Sequence, residues 1–387
     1  MTAREPFLAS RLQGFGTTIF AEMSALAART GAINLGQGFP DTDGPPEVAE
    51  AAIAAIRAGH NQYPPGPGIP ELRAAVAEHQ KRFWSLDVDP DREVLITAGA
   101  TEALTAALLA LCEVGDEVLT FEPTYDSYQA AAAMAGATLR VVTLEPPDYD
   151  LDVDALARAV TPRTRLVLLN SPHNPTGKVF TDDELAAVAR LCVEHDLLAV
   201  TDEVYEHIVF EGAHRPLASL PGMGERTLTV SSAGKTFSFT GWKVGWACGP
   251  EPLVAAVRTA KQFLTYVNGA PFQHAVVTGL GLGDDYFEGL RADLAAKRDL
   301  LCDGLAAAGF AVFRPRGTYF VTADIRPLGE DDGMAFCRSL PERAGVVAVP
   351  NAVFYAEPER GRHLVRFTFC KRRGVLAEAA ERLAQLR

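Results

Sequence analysis

The stretch SSAGKTFSFTGWK, Ser231 to Lys243, sets Lys235 between a serine three residues before it and a second lysine eight residues after it. Such a lysine can hold phosphate in a nucleotide loop, attack a carbonyl as a Schiff-base catalyst, or simply charge a turn. The nucleotide pattern G-x-x-x-x-G-K-[ST] takes Gly234 as its second glycine and needs another at position 229, which is Thr229. It also needs a helix to follow, whereas TGWKVGWACG is interrupted by glycine and reads as extended chain. The nucleotide loop fails on both counts. Gly279-Leu-Gly-Leu-Gly likewise misses the dinucleotide fingerprint and follows a helical run.

A Schiff-base lysine must be desolvated, or set near other cations, so that its amine is available at neutral pH. If the aldehyde is that of pyridoxal phosphate, the site further needs an acid for the ring nitrogen, donors and a cation for the phosphate, and a flat face for the ring. Asp202, ending LLAVTD, can pair with a pyridinium, and Tyr205 in DEVY can donate to the ring's phenolic oxygen. Asn174 in NSPHNPTG can contact the same oxygen. The backbone NH groups of Ala100 and Thr101, at the start of a helix in TAGATEAL, can cradle phosphate, with Ser232 and Lys243 adding a hydroxyl and a charge. Tyr125 in EPTYDSY offers the flat face. Each residue alone has an ordinary structural explanation as a cap, a turn or a core aromatic. Six compatible features at the carboxyl ends of strands in one sheet do not share one.

The elements that must carry these residues alternate. Short apolar runs at Glu93–Thr97, Glu117–Phe121, Arg165–Leu169, Leu197–Thr201, Thr227–Ser231 and Lys243–Cys248 read as strands of one mostly parallel sheet. Helices are expected at Thr101–Cys112 and Tyr125–Met134, giving an α/β chain. From about residue 288 the pattern changes to a long charged helix, Tyr286–Ala308, and then to strands at Gly317–Ala323 and His363–Thr368. The expected organisation is a large domain over 48–287 and a smaller α+β domain formed by 1–47 with 288–387.

Composition sets the outer limits. The chain has 387 residues, enough for two domains, and its 48% apolar and 22% charged content is that of a globular protein. A net charge of -13 argues against a nucleic-acid or anionic-membrane binder. The opening MTAREPFLASRLQGFG lacks the apolar core of a leader peptide, and no run approaches the roughly 18 apolar residues of a membrane span, so a cytoplasmic protein is expected. The six cysteines are scattered without a C-x-x-C pair, so no metal is expected and the thiols read as core residues.

The motifs resemble the fold type I, class I/II pyridoxal-phosphate aminotransferases over essentially the whole chain. INLGQGFPD, NQYPPGPGIPELR, TAGATEAL, EPTYDSY, NSPHNPTGKV, TDEVYEHIVF, SSAGKTFSFTGWKVGW, GTYF and HLVRFTF occur in that family's order. The resemblance implies Lys235 as the Schiff-base lysine, Asp202 as the ring-nitrogen partner, and Tyr205 and Asn174 as ligands of the ring oxygen. It implies Tyr125 as the stacking aromatic and Ala100, Thr101, Ser232 and Lys243 as the phosphate site, joined by Tyr63 from the second subunit of a homodimer. Arg366 would fork onto the substrate's α-carboxylate, with the Gly38 backbone lying over it.

Lys243, where many relatives have arginine, fits the subgroup of kynurenine, glutamine and methionine aminotransferases. EMSALA, NQYPPGPG, GWACGP and LVRFTFCKR most resemble bacterial N-succinyldiaminopimelate aminotransferases within it. Ala352 in VPNAVFY stands where relatives often carry serine, so the pocket floor is expected to differ.

The implied reaction is ping-pong transfer of an amino group from an L-amino acid to a 2-oxo acid, with glutamate and 2-oxoglutarate as one pair. A carbon–sulfur β-lyase acting on cysteine conjugates, or a kynurenine-, methionine- or glutamine-type transaminase, is the alternative within enzymes. A ligand-sensing regulator built on the same scaffold would carry a DNA-binding extension and a degraded lysine site, and Lys235 is retained. The resemblance assigns side-chain recognition to Phe15–Phe20, to Thr265-Tyr-Val-Asn-Gly from the facing subunit and to VPNAVF. These supply Thr17, Thr18, Tyr266 and Asn268 and no second arginine, which disfavours a strict aspartate enzyme.

Overall fold

The structure, a computed structural model, describes residues 7–386; Met1–Pro6, which bear on the leader-peptide expectation, and Arg387 lie outside the described residues. Seven strands form the larger sheet: β1 (Val94–Thr97), β2 (Glu117–Glu122), β3 (Thr138–Thr143), β4 (Thr164–Asn170), β5 (Leu198–Asp202), β6 (Thr227–Ser232) and β7 (Gly245–Cys248). Their order across the sheet is β1-β7-β6-β5-β4-β2-β3. All neighbours are parallel except β7, which runs antiparallel to both β1 and β6.

The apolar runs are buried on both faces, as continuous hydrophobic strands require. Along β4, Leu166 and Leu168 pack on one side with Leu104 and Leu108 of helix Gly99–Leu111, whereas Val167 and Leu169 pack on the other with Leu185 and Val188 of helix Asp182–Glu194. Period-two alternation thus divides one strand between two helical layers. Asp182–Glu194 begins with a capping box, in which the Thr181 hydroxyl accepts from Glu184 NH and the Glu184 carboxylate from Thr181 NH.

Two strand expectations need correction. β3 was not foreseen because TLRVVT lies at the sheet edge and only Val142 is fully buried, so its sequence lacks a continuous apolar run. The expected strand Lys243–Cys248 begins only at Gly245, because Lys243 has φ 53° and turns the chain before the ladder starts. The connection from β6 to β7 holds a single helical turn, Ala233–Thr236, and a 3₁₀ turn, Thr240–Trp242. That is too little for a parallel crossover, so β7 returns antiparallel.

A four-stranded antiparallel sheet follows: β8 (Ala311–Phe313), β9 (Phe320–Asp324), β10 (Val349–Pro350) and β11 (Leu364–Thr368), in the order β10-β11-β9-β8. The long helix is observed at Asp284–Ala307. The amino-terminal region joins this part of the molecule. Ile33–Asn34 pairs parallel with Val346–Val347, and Met23, Ala27 and Leu35 share a core with Val321, Phe367 and Leu376. All six cysteines are buried free thiols. No helix among the described residues is long and apolar enough to cross a membrane.

A buried polar layer lies beside β5 and β6. Glu206 accepts from Ser231 Oγ and Trp84 Nε1, both at 2.6 Å, and the imidazoles of His79 and His207 meet Nε2 to Nε2 at 2.7 Å. Glu203 bonds His214 at 2.8 Å alongside. Burial pushes Glu206 up to about 7 and His79 down to about 3. Between the ordinary carboxyl value of 4.5 and about 7 the folded chain therefore holds a proton at Glu206 that the unfolded chain has released, so this group's contribution to stability falls as pH rises through that window. His79 has the opposite slope, and its contribution falls as pH drops from 6.5 towards about 3. Glu206→Gln removes only the first dependence. The melting temperature of the variant minus that of the parent should become more positive from about pH 5 to about pH 7.5, by the equivalent of about 2–4 kcal/mol. A pH-independent offset reflects the lost acceptor; a difference without slope would contradict the raised Glu206.

Candidate active site

The carboxyl ends of β5 and β6 and the amino end of helix Gly99–Leu111 open into one cavity of about 420 Å³. Its lining includes Gly38, Ala100, Thr101, Tyr125, Asn174, Asp202, Tyr205, Ser232, Lys235, Lys243 and Arg366. Ten residues expected at a cofactor or substrate site on one chain thus meet there with Lys235. Tyr63 does not: it is 81% exposed and packs edge-on against Tyr266 at 5.5 Å.

The fold aims each group. β5 ends at Asp202 and its next turn carries Tyr205, which is buried against Tyr319 and Phe320. β6 ends at Ser232, and one helical turn presents Lys235. The chain then reverses so that Lys243 lies against Gly99, where a Cβ would come 3.1 Å from Nζ. The close approach of Gly99, with φ 74°, therefore leaves room for the ammonium beside the first-turn NH groups of Ala100 and Thr101. Unpaired helix NH groups and a cation together make an anion site. Gly245 fits against the Gly99 backbone at a distance no side chain tolerates, 2.7 Å from a built Cβ.

Lys235 Nζ lies 5.7 Å from the ring centroids of both Tyr205 and Tyr319. Burial lowers its pKa, with the nearby Lys243 and Arg366 charges acting in the same direction. This is the environment that frees a lysine amine for carbonyl chemistry. Burial raises Asp202, against a hydrogen bond of 2.7 Å from Tyr128 Oη and the NH of Val204, which favour its charged form. A cation placed beside Asp202 would add to that preference.

Arg366 stands on the interior strand β11, not at a sheet edge, and is 1% exposed. Nη1 donates to Asn174 Oδ1 at 3.0 Å and Nη2 to the Gly36 carbonyl at 2.9 Å, while buried Nε has no partner among the described residues. Phe320 covers the guanidinium at 4.0 Å. Burial lowers its pKa to about 10. A buried guanidinium held by neutral acceptors suits a carboxylate. Gly38 admits no side chain, since a Cβ would come 2.4 Å from Phe320 Cζ. Together, a desolvated amine, an anion cradle and a carboxylate-seeking guanidinium fit pyridoxal phosphate and an amino acid.

Sequence reading missed several groups. Tyr128 is the hydroxyl that orders Asp202, and its place three residues after Tyr125, one turn along helix Asp126–Ala135, was the available signal. Asn170, at the end of β4, donates to the Asp202 carbonyl at 2.8 Å and accepts from Asn174 NH at 2.7 Å. Gln37 and Asp126 also line the cavity. Of the segments expected to read the side chain, Phe15–Phe20 supplies Thr18 and Phe20 to this chain's cavity, but Thr17 and the VPNAVF residues do not line it. Asn268 is engaged elsewhere, its amide donating to the carbonyls of Thr97 and Lys243 at 3.1 and 3.2 Å.

Residues 30–383 match the family model of aminotransferase class I and II. The chain is 56% identical to a probable N-succinyldiaminopimelate aminotransferase of Mycobacterium tuberculosis, over 97% of this chain and 98% of that one. It is 40% identical to the methionine aminotransferase of Escherichia coli, over 97% and 98%. The solved N-succinyldiaminopimelate aminotransferase of Mycobacterium tuberculosis superposes with a TM-score of 0.97 at 56% identity, covering 98% of this chain and 100% of that one. A mutant aspartate aminotransferase of Thermus thermophilus gives 0.90 at 35% identity, over 98% and 99%. The chain therefore belongs to the class I and II aminotransferases and is a pyridoxal-phosphate-dependent transaminase of fold type I.

Proposed function

We propose that this aminotransferase acts on N-succinyldiaminopimelate in lysine biosynthesis, with glutamate and 2-oxoglutarate as the other pair, as a cytoplasmic homodimer. The reading is carried by the single cavity in which Lys235, Asp202, Lys243 and Arg366 converge. Its substrate is supported by the 56% identity to the mycobacterial relative, against 40% for the methionine enzyme.

Ala100, Thr101, Ser232 and Lys243 would hold the cofactor's phosphate, Tyr125 its ring face, Tyr205 and Asn174 its ring oxygen, and Asp202 its ring nitrogen. When bound, pyridoxal phosphate supplies an aldehyde for the substrate amine and a ring that accepts the electron pair released at the α-carbon. Arg366 and the Gly38 backbone would hold the substrate's α-carboxylate in the cavity that Lys235 also lines. The Lys235 amine would take the proton from the substrate's α-carbon as general base and deliver it to the cofactor as general acid. Asp202, ordered by Tyr128, would hold the proton on the ring nitrogen. Tyr63, exposed and outside its own chain's cavity, supports the dimer reading as a ligand lent to the partner's phosphate site.

Lys235→Ala should lose both the visible imine absorbance and turnover; full activity in that variant contradicts the assignment. In Tyr128→Phe the charged form of Asp202 loses its strongest hydrogen bond, so its pKa rises. The acid limb of the kcat/KM profile should then move to higher pH by about one unit, and an unmoved limb would count against Asp202 as the ring-nitrogen partner. Sedimentation of the active enzyme tests the dimer, and a fully active monomer overturns it. An amine-donor panel including succinylated diaminopimelate, cysteine conjugates and kynurenine tests the substrate.

A further inference from the structure

The segment Asn34–Gly38, which lends Gln37 and Gly38 to the cavity lining, has no part in the chemistry above except through the Gly36 and Gly38 backbone. Asn34 Oδ1 accepts from the NH groups of Gly36 and Gln37 at 3.0 and 3.2 Å, which closes a tight turn. Ser24, on helix Ile19–Thr30, receives Asn34 Nδ2 at 3.5 Å and donates its hydroxyl to Gln37 Oε1 at 2.9 Å. This chain of bonds fixes the sense of the Gln37 amide. Its oxygen turns to Ser24, and its NH₂ has no acceptor among the described residues while Gln37 lines the cavity. The residues on either side are pinned as well, Gly36 by Arg366 and Gly38 by Tyr319 Oη at 2.8 Å.

The charges of the cavity make that NH₂ significant. Its cations among the described residues are Lys235, Lys243 and Arg366, each with a role in the proposed function, and the remaining charged side chains are Asp126 and Asp202. An oxygen on the substrate's side chain therefore finds no free cation in this chain's cavity, but it does find an oriented neutral donor.

We propose that Gln37 is a specificity-determining residue whose Nε2 donates to a side-chain oxygen of the substrate, a distal carboxylate or an acylated amine's carbonyl. This rests on the function proposed above. A neutral amide serves both kinds of oxygen, so one group can act in both half-reactions of a ping-pong enzyme. A hydrocarbon side chain of equal length offers the NH₂ no acceptor and displaces the water that could have served, which disfavours it.

The test is the half-reaction of the holoenzyme, followed by cofactor absorbance, with glutamate and with norleucine as donors. In Gln37→Leu the ratio of kcat/KM for glutamate to that for norleucine should fall about tenfold. Gln37→Glu should lower it further by repulsion. Ser24→Ala, which frees the amide to rotate, should give a smaller fall in the same direction. Equal losses for both donors in Gln37→Leu, with parent-like folding and cofactor absorbance, overturn the inference alone and make the segment structural. A parent enzyme that reacts with neither donor overturns the proposed function and this inference with it.

Discussion

A guanidinium without a carboxylate partner is the constraint around which this molecule is arranged. Arg366 is buried on an interior strand, and a lone buried charge costs several kcal/mol unless hydrogen bonds and a counter-charge offset it. Its neutral acceptors come from Asn174, 192 residues away in sequence, and Gly36, 330 residues away. The two sheets and the amino-terminal segment must therefore meet at one point. The Phe320 ring lies 4.0 Å from the guanidinium and also occupies the space where a Cβ on Gly38 would stand, so one ring covers the charge and requires the glycine.

The second organising feature is the reversal between β6 and β7. Because the connection is too short for a crossover, the chain doubles back, and Lys235 and Lys243 face the same cavity from opposite sides of the turn. Burial lowers the pKa of Lys235, and the positive charge of Lys243 acts in the same direction. The fit of Gly245 against Gly99 brings this return strand against the amino end of helix Gly99–Leu111. Strand direction, helix NH groups and amine availability are thus set together.

Much of this was legible in the chain. The continuous apolar runs gave the positions of six of the seven strands, and the polar residues following them mark where the cavity opens. Asp202 follows LLAVT and Ser232 ends TLTVSS, so their places at strand ends were readable within about one residue. β3 escaped because only Val142 of TLRVVT is fully buried, so it carries no two-sided apolar signal, whereas β1 at the other edge is buried throughout. The direction of β7 escaped because a run of apolar residues does not state which way it is crossed.

The sequence by itself determined the chemistry on offer, since a lysine, an aspartate and a glycine-flanked helix start each lie in local motifs whose geometry is set by neighbours a few residues away. Tertiary structure alone decided orientation. That Tyr128 orders Asp202, that Asn268 braces Thr97 and Lys243, and that Ser24 turns the Gln37 amide are facts about groups meeting across long stretches of chain or across a helix turn. Hydrogen bonds of this kind depend on angles and distances within tenths of an ångström, and no residue pattern carries that information until the core has packed.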